Sequence, residues 1–140
     1  MDSNEVKALG QEMLEIIRAG KNRREPLREL FQRYRIPDLN DELRAQAKAC
    51  KAPTLMILSV SLSPSYSSES IAGRDVSHYH MSWEYLECCE ALNVLVMRSV
   101  SMRSGNSRWG IKEESSESYE LLTHEEAIQW IQQLFIPGDR

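Results

Sequence analysis

The chain has 140 residues, of which 41% are hydrophobic and 27% are charged. Values near the globular average exclude general disorder and allow one domain with a sizeable core. No apolar run approaches the roughly 20 residues of a membrane-spanning helix, and the acidic residues 1–5 differ from a secretory signal. The cysteines, Cys50, Cys88 and Cys89, make no even disulfide framework, so we expect a reduced compartment, the cytosol or the nucleus.

The net charge of −4 is unevenly distributed along the chain. The basic segment, residues 18–35, contains seven cations and two carboxylates, whereas residues 113–126 contain six glutamates and no lysine or arginine. Such opposite charges attract each other, within one chain or between copies, and a basic segment also attracts nucleic acid. The seven cations are Arg18, Lys21, Arg23, Arg24, Arg28, Arg33 and Arg35.

Helical periodicity and capping signals predict three helices within residues 1–52. Asp2 and Glu5 have the spacing of a capping box, and Gly20 ends the first helix. A proline in the first turn begins a short second helix, and Pro37 ends it. The predicted helices are residues 3–19, a short helix that includes residues 27–34, and residues 38–49.

From residue 54 the hydrophobic period changes to two, which predicts three to five antiparallel strands over residues 53–122. The clearest alternation places Tyr79, Trp83 and Tyr85 toward the core. The predicted strands are residues 54–63, 76–87, 92–103, 108–112 and 119–122. Serine and glycine content predicts a mobile loop at 63–75, a hairpin connection at 103–107 and a loop at 115–118.

A second capping box, Thr123 with Glu126, predicts a closing helix over residues 123–136. The order of elements indicates an α+β fold, with N-terminal helices, a sheet of three to five antiparallel strands and a C-terminal helix packed on it. No repeat or linker divides the chain. We therefore predict one domain over residues 1–140, made of a helical segment, a sheet and the closing helix.

The basic segment is the main candidate binding site. Arginine outnumbers lysine in it six to one, which suits phosphate or carboxylate partners. The same residues also fit a solvated helix face, on which Arg28 and Arg33 pair with Glu25 and Glu29. Trp130, at the margin of the apolar stripe of the closing helix, is a candidate contact for another chain.

His78, Tyr79 and His80 form a second candidate site. Residues i and i+2 of a strand share a face, so the two imidazoles lie side by side and are candidate metal ligands. The triplet resembles the His-hydrophobic-His element of rolling-circle nickases, which implies a metal that polarises a phosphate and a tyrosine that attacks the DNA backbone. Tyr119 departs from that pattern, because Glu120 and two leucines follow it. Both histidines equally fit the solvent face of a half-buried strand.

The sequence contains no glycine-rich phosphate loop, nucleophile elbow or zinc-protease motif, and we expect no cofactor and no membrane partner. We therefore expect a small non-enzymatic interaction protein that self-associates as a homo-oligomer such as a dimer, of the adaptor or the viral accessory or structural type. One alternative is an RNA- or DNA-binding protein that uses the basic segment. A second alternative is a metal-dependent nuclease built on His78 and His80.

Overall fold

The computed structural model describes residues 1–134 except 21, 51–52, 63–64, 72–73 and 108–109; the side chains of 67, 69–71, 74–76, 106–107 and 110–112 are also not described. The predicted class is confirmed: N-terminal helices, a five-stranded antiparallel sheet and a C-terminal helix form an α+β fold. The helices of this part are α1 (Ser3–Ala19), α2 (Arg24–Arg33), α3 (Asp41–Ala49) and α4 (His124–Gln132). The strands are β1 (Thr54–Ser61), β2 (Ser65–Ile71), β3 (Arg74–Cys89), β4 (Leu95–Ser107) and β5 (Gly110–Leu121).

The helix starts follow the capping signals of the sequence. In α1 the Asp2 side chain accepts a hydrogen bond from the Glu5 backbone N–H at 2.8 Å, and the Glu5 side chain returns to the Asp2 backbone. The same reciprocal pair joins Thr123 and Glu126 at the start of α4, so both predicted capping boxes are confirmed. Each pair satisfies backbone donors that a helix start leaves without partners.

Strand β3 organises the sheet. The strand order is β1-β3-β4-β5, and β2 also pairs with β3, so β5 lies last in the order, at a sheet edge. The β2–β3 register is antiparallel and runs from Ser65 opposite His80 to Ile71 opposite Arg74. Because β3 has 16 residues, its second half remains available for β1, and the Leu62 N–H donates to the Ser82 carbonyl at 2.9 Å.

Three predictions of irregular structure are wrong. Most of the predicted mobile loop at 63–75 is strand, because β2 covers Ser65–Ile71 and β3 begins at Arg74. The predicted hairpin connection at 103–107 lies within β4, and the predicted loop at 115–118 lies within β5. Serine is compatible with a strand when a neighbouring strand accepts and donates the backbone hydrogen bonds, and local composition does not report that neighbour. Arg108 and Trp109, predicted to begin a strand, lie outside the described residues.

The chain divides into two compact units. Every fully buried hydrophobic side chain of the described part belongs to unit 1. The boundary between the units crosses the predicted sheet of residues 53–122. One domain over residues 1–140 stays a prediction. Unit 1 comprises Met1–Leu58, Leu86–Met97 and Glu120–Arg140, and unit 2 comprises Ser59–Tyr85 and Arg98–Tyr119.

The core of unit 1 forms where α2 packs against α1 and α4. Phe31 of α2 is fully buried together with Leu9 and Met13 of α1 and Ile128 of α4. Strand β1 contributes Ile57, whose carbonyl oxygen lies against α1 at Gly10. A Cβ atom on that glycine would lie 2.6 Å from the oxygen, so only glycine permits this approach.

We expect Gly10→Ala to lower the free energy of unfolding by about 1–3 kcal/mol, because α1 and β1 must separate to admit the methyl group. This loss exceeds the gain of about 1 kcal/mol in helix propensity. Urea denaturation gives the value. Gln11→Ala, at the exposed neighbouring position, is the control and should change the free energy of unfolding by less than about 0.5 kcal/mol. A variant with alanine at position 10 that is more stable than the wild type would contradict the close approach.

Candidate interaction surfaces

Arg23 of the basic segment joins the ends of two helices. Its guanidinium group donates from Nη2 to the Ile17 carbonyl at 3.1 Å and from Nε to the Gly20 carbonyl at 3.2 Å, and both carbonyls lie at the end of α1. The Nη1 atom of Arg23 donates to the carbonyls of Ile131 at 2.7 Å and Leu134 at 3.0 Å, at the end of α4. Helix ends leave such carbonyls without intrahelical donors, so Arg23 serves the fold of unit 1.

Two further arginines of the basic segment pair with Glu125, which belongs to the glutamate-rich segment. Arg24 lies 2.5 Å from the Glu125 carboxylate, and Arg28 lies 3.8 Å from it. Arg28 also lies 3.5 Å from Glu25, as its spacing predicted. The hydrogen bond from Arg24 holds the pKa of Glu125 below its usual value and raises the pKa of Arg24. The two oppositely charged segments therefore meet within one chain, one of the outcomes that the sequence left open.

Arg33 pairs with a carboxylate that the sequence did not suggest. Its guanidinium group lies 2.9 Å from Glu12 of α1, not at Glu29. The Tyr34 hydroxyl donates to the second oxygen of Glu12 at 2.5 Å. The hydrogen bonds from Tyr34 and then Arg33 lower the pKa of Glu12, and the same contact raises the pKa of Tyr34. This network ties the end of α2 to the middle of α1.

The remaining predicted partner-binding residues differ in their exposure and in their contacts within the chain. Arg18 is exposed and already has an interaction within the chain. Arg35 is exposed and, in the described part, forms no ion pair; Lys21 lies outside the described residues. Trp130 is half-buried, packs against the core of unit 1 and has a partner within the chain. The basic segment is thus largely occupied by internal contacts.

The predicted metal pair lies on β3, in unit 2. His78 is exposed and His80 is half-buried, and Ser67 and Ser65 of β2 lie opposite them. The described residues contain no group of three or more histidine, cysteine, aspartate or glutamate side chains placed to hold a metal ion. The metal site stays a prediction that rests on two imidazoles, without a third ligand among the side chains described.

Unit 2 carries a group of aromatic, aliphatic and charged side chains on the other side of β3, which we call the aromatic face. Tyr79, Met81, Trp83 and Tyr85 share this side because strand residues alternate. Tyr66 of β2 lies directly opposite Tyr79, so it belongs to the same side. The remaining members follow on β4 and β5. They are Arg98, Val100, Met102, Glu117 and Tyr119.

Contacts between side chains place Arg98, Glu117 and Tyr119 on the aromatic face, and strand alternation places Val100 and Met102 on the same side as Arg98. The Arg98 guanidinium carbon lies 4.4 Å from the centroid of the Tyr85 ring, in a cation–π contact. Arg98 also donates to Glu117 at 3.0 Å, and the Tyr119 hydroxyl donates to the same carboxylate at 2.8 Å. These bonds, that of Arg98 first, lower the pKa of Glu117. Arg98 and Glu117 on this face are therefore paired with each other.

The prediction that Tyr79, Trp83 and Tyr85 belong to the core is wrong. Tyr79 is 39% exposed, and Trp83 and Tyr85 are partly exposed. Tyr66 is 68% exposed and Tyr119 is 61% exposed. Alternation predicted correctly that the aromatic residues share one side of β3, but it does not reveal whether another layer covers that side. All side chains in the core of unit 1 come from outside this part of the sheet.

Cysteine chemistry does not suggest a reactive site. All three cysteines are free thiols. Burial raises the pKa of Cys88 to about 12, which leaves it as an unreactive thiol near neutral pH. Cys89 is buried beside it.

Comparisons with models of protein families, with curated proteins and with solved structures found no match. Within the described residues, no helix has the length and apolar character needed to cross a membrane.

We expect Arg23→Gln to lower the free energy of unfolding by about 2–4 kcal/mol, because carbonyls at the ends of α1 and α4 lose a charged donor. Urea denaturation measures the difference. Arg35→Gln removes an exposed cation of the same segment and should change stability by less than about 0.5 kcal/mol. Equal effects of the two substitutions would contradict the role assigned to Arg23.

The double variant Glu12→Gln/Glu125→Gln should make stability less sensitive to acid. Both carboxylates have folded pKa values below their ordinary value of 4.5, so their contribution is complete above that pH. It is lost as the pH falls through the lowered folded values. Unfolding free energies measured between about pH 7 and about pH 2.5 should therefore differ most at neutral pH and converge in acid. A difference that does not depend on pH would contradict this assignment.

Proposed function

We propose that this chain is a small non-enzymatic interaction protein, of the adaptor or viral accessory type, which self-associates through the aromatic face. One observation carries the proposal: unit 2 presents a row of aromatic and methionine side chains, yet none of its described side chains is a fully buried hydrophobic residue. A sheet normally buries one face against another layer. Exposed apolar surface of this kind marks binding surfaces.

The size of the aromatic face suits a second copy of the chain. Its exposed tyrosines, Tyr66, Tyr79 and Tyr119, together present roughly 300 Å² of side-chain surface. A standard interface takes about 800 Å² from each partner, and the partly exposed Met81, Trp83, Tyr85 and Val100 extend the surface toward that value. Two sheets that pack face to face lie about 10 Å apart and interdigitate side chains of this type.

The charges of unit 2 favour a face-to-face contact over pairing at the β5 edge. Glu113, Glu114 and Glu117 lie along β5, so two β5 strands placed side by side would bring like charges together. On the aromatic face itself, Arg98 and Glu117 are paired with each other. These two charges therefore do not require partners from another chain.

Nucleic acid is the less favoured partner for the same reasons. Aromatic sheet surfaces stack on unpaired bases when cations beside them hold the phosphates. On this face the glutamates of β5 would repel phosphates, and Arg98 is engaged by Glu117. In unit 1, Arg23, Arg24, Arg28 and Arg33 are engaged by carbonyls and carboxylates.

Sedimentation velocity at about 1–100 µM tests the proposal. We expect the wild-type chain to form dimers or larger assemblies, and Tyr66→Lys/Tyr79→Lys to be monomeric. The matched control Leu62→Lys/His78→Lys adds the same charge on the opposite side of the sheet and should assemble normally. Circular dichroism verifies that each variant is folded.

Two results would overturn the proposal. The first is a wild-type chain that stays monomeric over the whole concentration range. The second is equal assembly of both lysine variants. RNA or duplex DNA bound more tightly than about 100 µM at low salt, and lost with Arg18→Gln/Arg35→Gln, would support the nucleic-acid alternative instead.

A further inference from the structure

Strand β5 forms an edge of the sheet, and in unit 2 that edge is open. The strand lies last in the strand order, after β4. Every residue from 113 to 119 is exposed, whichever side of the sheet its side chain occupies. A second neighbouring strand or a covering layer would bury some of these positions. Among the residues that the structure describes, only β4 therefore lies beside this part of β5.

Two contacts fix the register of β5 on β4. The Leu122 N–H donates to the Leu95 carbonyl at 2.9 Å, and the Oγ atoms of Ser101 and Ser116 lie 2.6 Å apart. Both contacts fit a single antiparallel register, in which Leu122 lies opposite Leu95 and Ser116 lies opposite Ser101. Every second residue of an antiparallel strand exchanges backbone hydrogen bonds with its neighbour. In β5 these are the even-numbered residues.

The odd-numbered residues of β5 turn their backbone groups toward the open edge. Glu113, Ser115 and Glu117 are residues of this kind in unit 2. Each presents one N–H donor and one carbonyl acceptor to the side away from β4. Such an edge is a template for an added strand, which supplies main-chain hydrogen bonds with the same spacing.

Charge selects the kind of strand that fits. In the same register, β4 places Arg103 opposite Glu114 but Ser104 opposite Glu113. Glu113 forms no ion pair in the part of the chain that the structure describes, whereas Glu117 is held by Arg98. Opposite charges on neighbouring strands stabilise their pairing, and like charges oppose it. An added strand therefore gains from a cation opposite Glu113.

We infer that the β5 edge of unit 2 binds an extended, lysine- or arginine-bearing segment of a partner protein by strand addition. Main-chain hydrogen bonds to Glu113, Ser115 and Glu117 supply the affinity. A cation beside Glu113 supplies the preference for a basic segment, and the same carboxylate opposes a second β5 strand. The inference does not rest on self-association through the aromatic face.

Fluorescence anisotropy with a labelled, acetylated and amidated Thr-Lys-Val-Lys-Val-Lys-Thr peptide tests the inference. We expect the full-length wild type to bind, and Ser115→Pro to bind at least about tenfold more weakly, because proline removes the outward N–H and its ring blocks the added strand. That N–H does not serve β4, so the variant should fold, which circular dichroism verifies. The matched control Ser115→Thr keeps the N–H and should change affinity by less than about twofold.

The contribution of charge is measured separately. Glu113→Gln should weaken binding about threefold, because one exposed cross-strand ion pair is lost. Glu90→Gln removes the same charge from an exposed position in unit 1 and should leave affinity unchanged. The same peptide with glutamate in place of lysine should not bind.

Hydrogen exchange measured by NMR tests strand addition in the wild type, even where Ser115→Pro does not fold. On binding the peptide, the amides of Ser115 and Glu117 should gain protection, whereas those of Ser116 and Ser118, which already face β4, should change little.

Four results would overturn the inference: no binding of the lysine peptide, equal affinity of the proline and threonine variants, equal gains in protection at Ser115 and Ser116, or equal binding of the glutamate peptide. Tyr66→Lys/Tyr79→Lys should bind the peptide normally, so failure here is distinguishable from failure of self-association.

Discussion

The guanidinium group of Arg23 holds together the part of the molecule that contains the core. Ile17 and Ile131 are far apart in the chain, and their carbonyls lie at the ends of α1 and α4, yet both accept hydrogen bonds from this side chain. Carbonyls at a helix end lack intrahelical donors, so a charged donor that reaches both ends favours one arrangement of the helices. The ion pairs of Arg24 and Arg33 with Glu125 and Glu12 add contacts on either side of it.

This use of arginine changes the interpretation of the charge pattern. A concentration of cations in a chain invites a polyanion as its partner. Here carboxylates and carbonyls of the same chain provide much of the counter-charge, and the pKa values of Glu12 and Glu125 are lowered in consequence.

The two compact units differ in how far they bury their apolar side chains. Unit 1 buries them between helices and the nearby strand segments. The described residues of unit 2 lie mainly in strands, and its described tyrosine and tryptophan side chains remain partly exposed. A second sheet placed on the aromatic face would supply the missing layer, which connects the architecture of unit 2 with the proposed self-association.

Local patterns in the sequence determined the limits of α1, both capping boxes, the class of the fold and the alternation of β3, because these depend on neighbours within a few positions. The third helix begins at Asp41 and not at the predicted residue 38, and α4 ends at Gln132, before the predicted residue 136. Strand partners decided that the serine-rich segments are β2 and part of β5. Tertiary packing decided that Tyr79 and Trp83 are partly exposed and that Arg23 meets the end of α4. Burial and counter-charge arise between residues distant in the chain, so they are properties of the folded molecule and not of any local stretch of sequence.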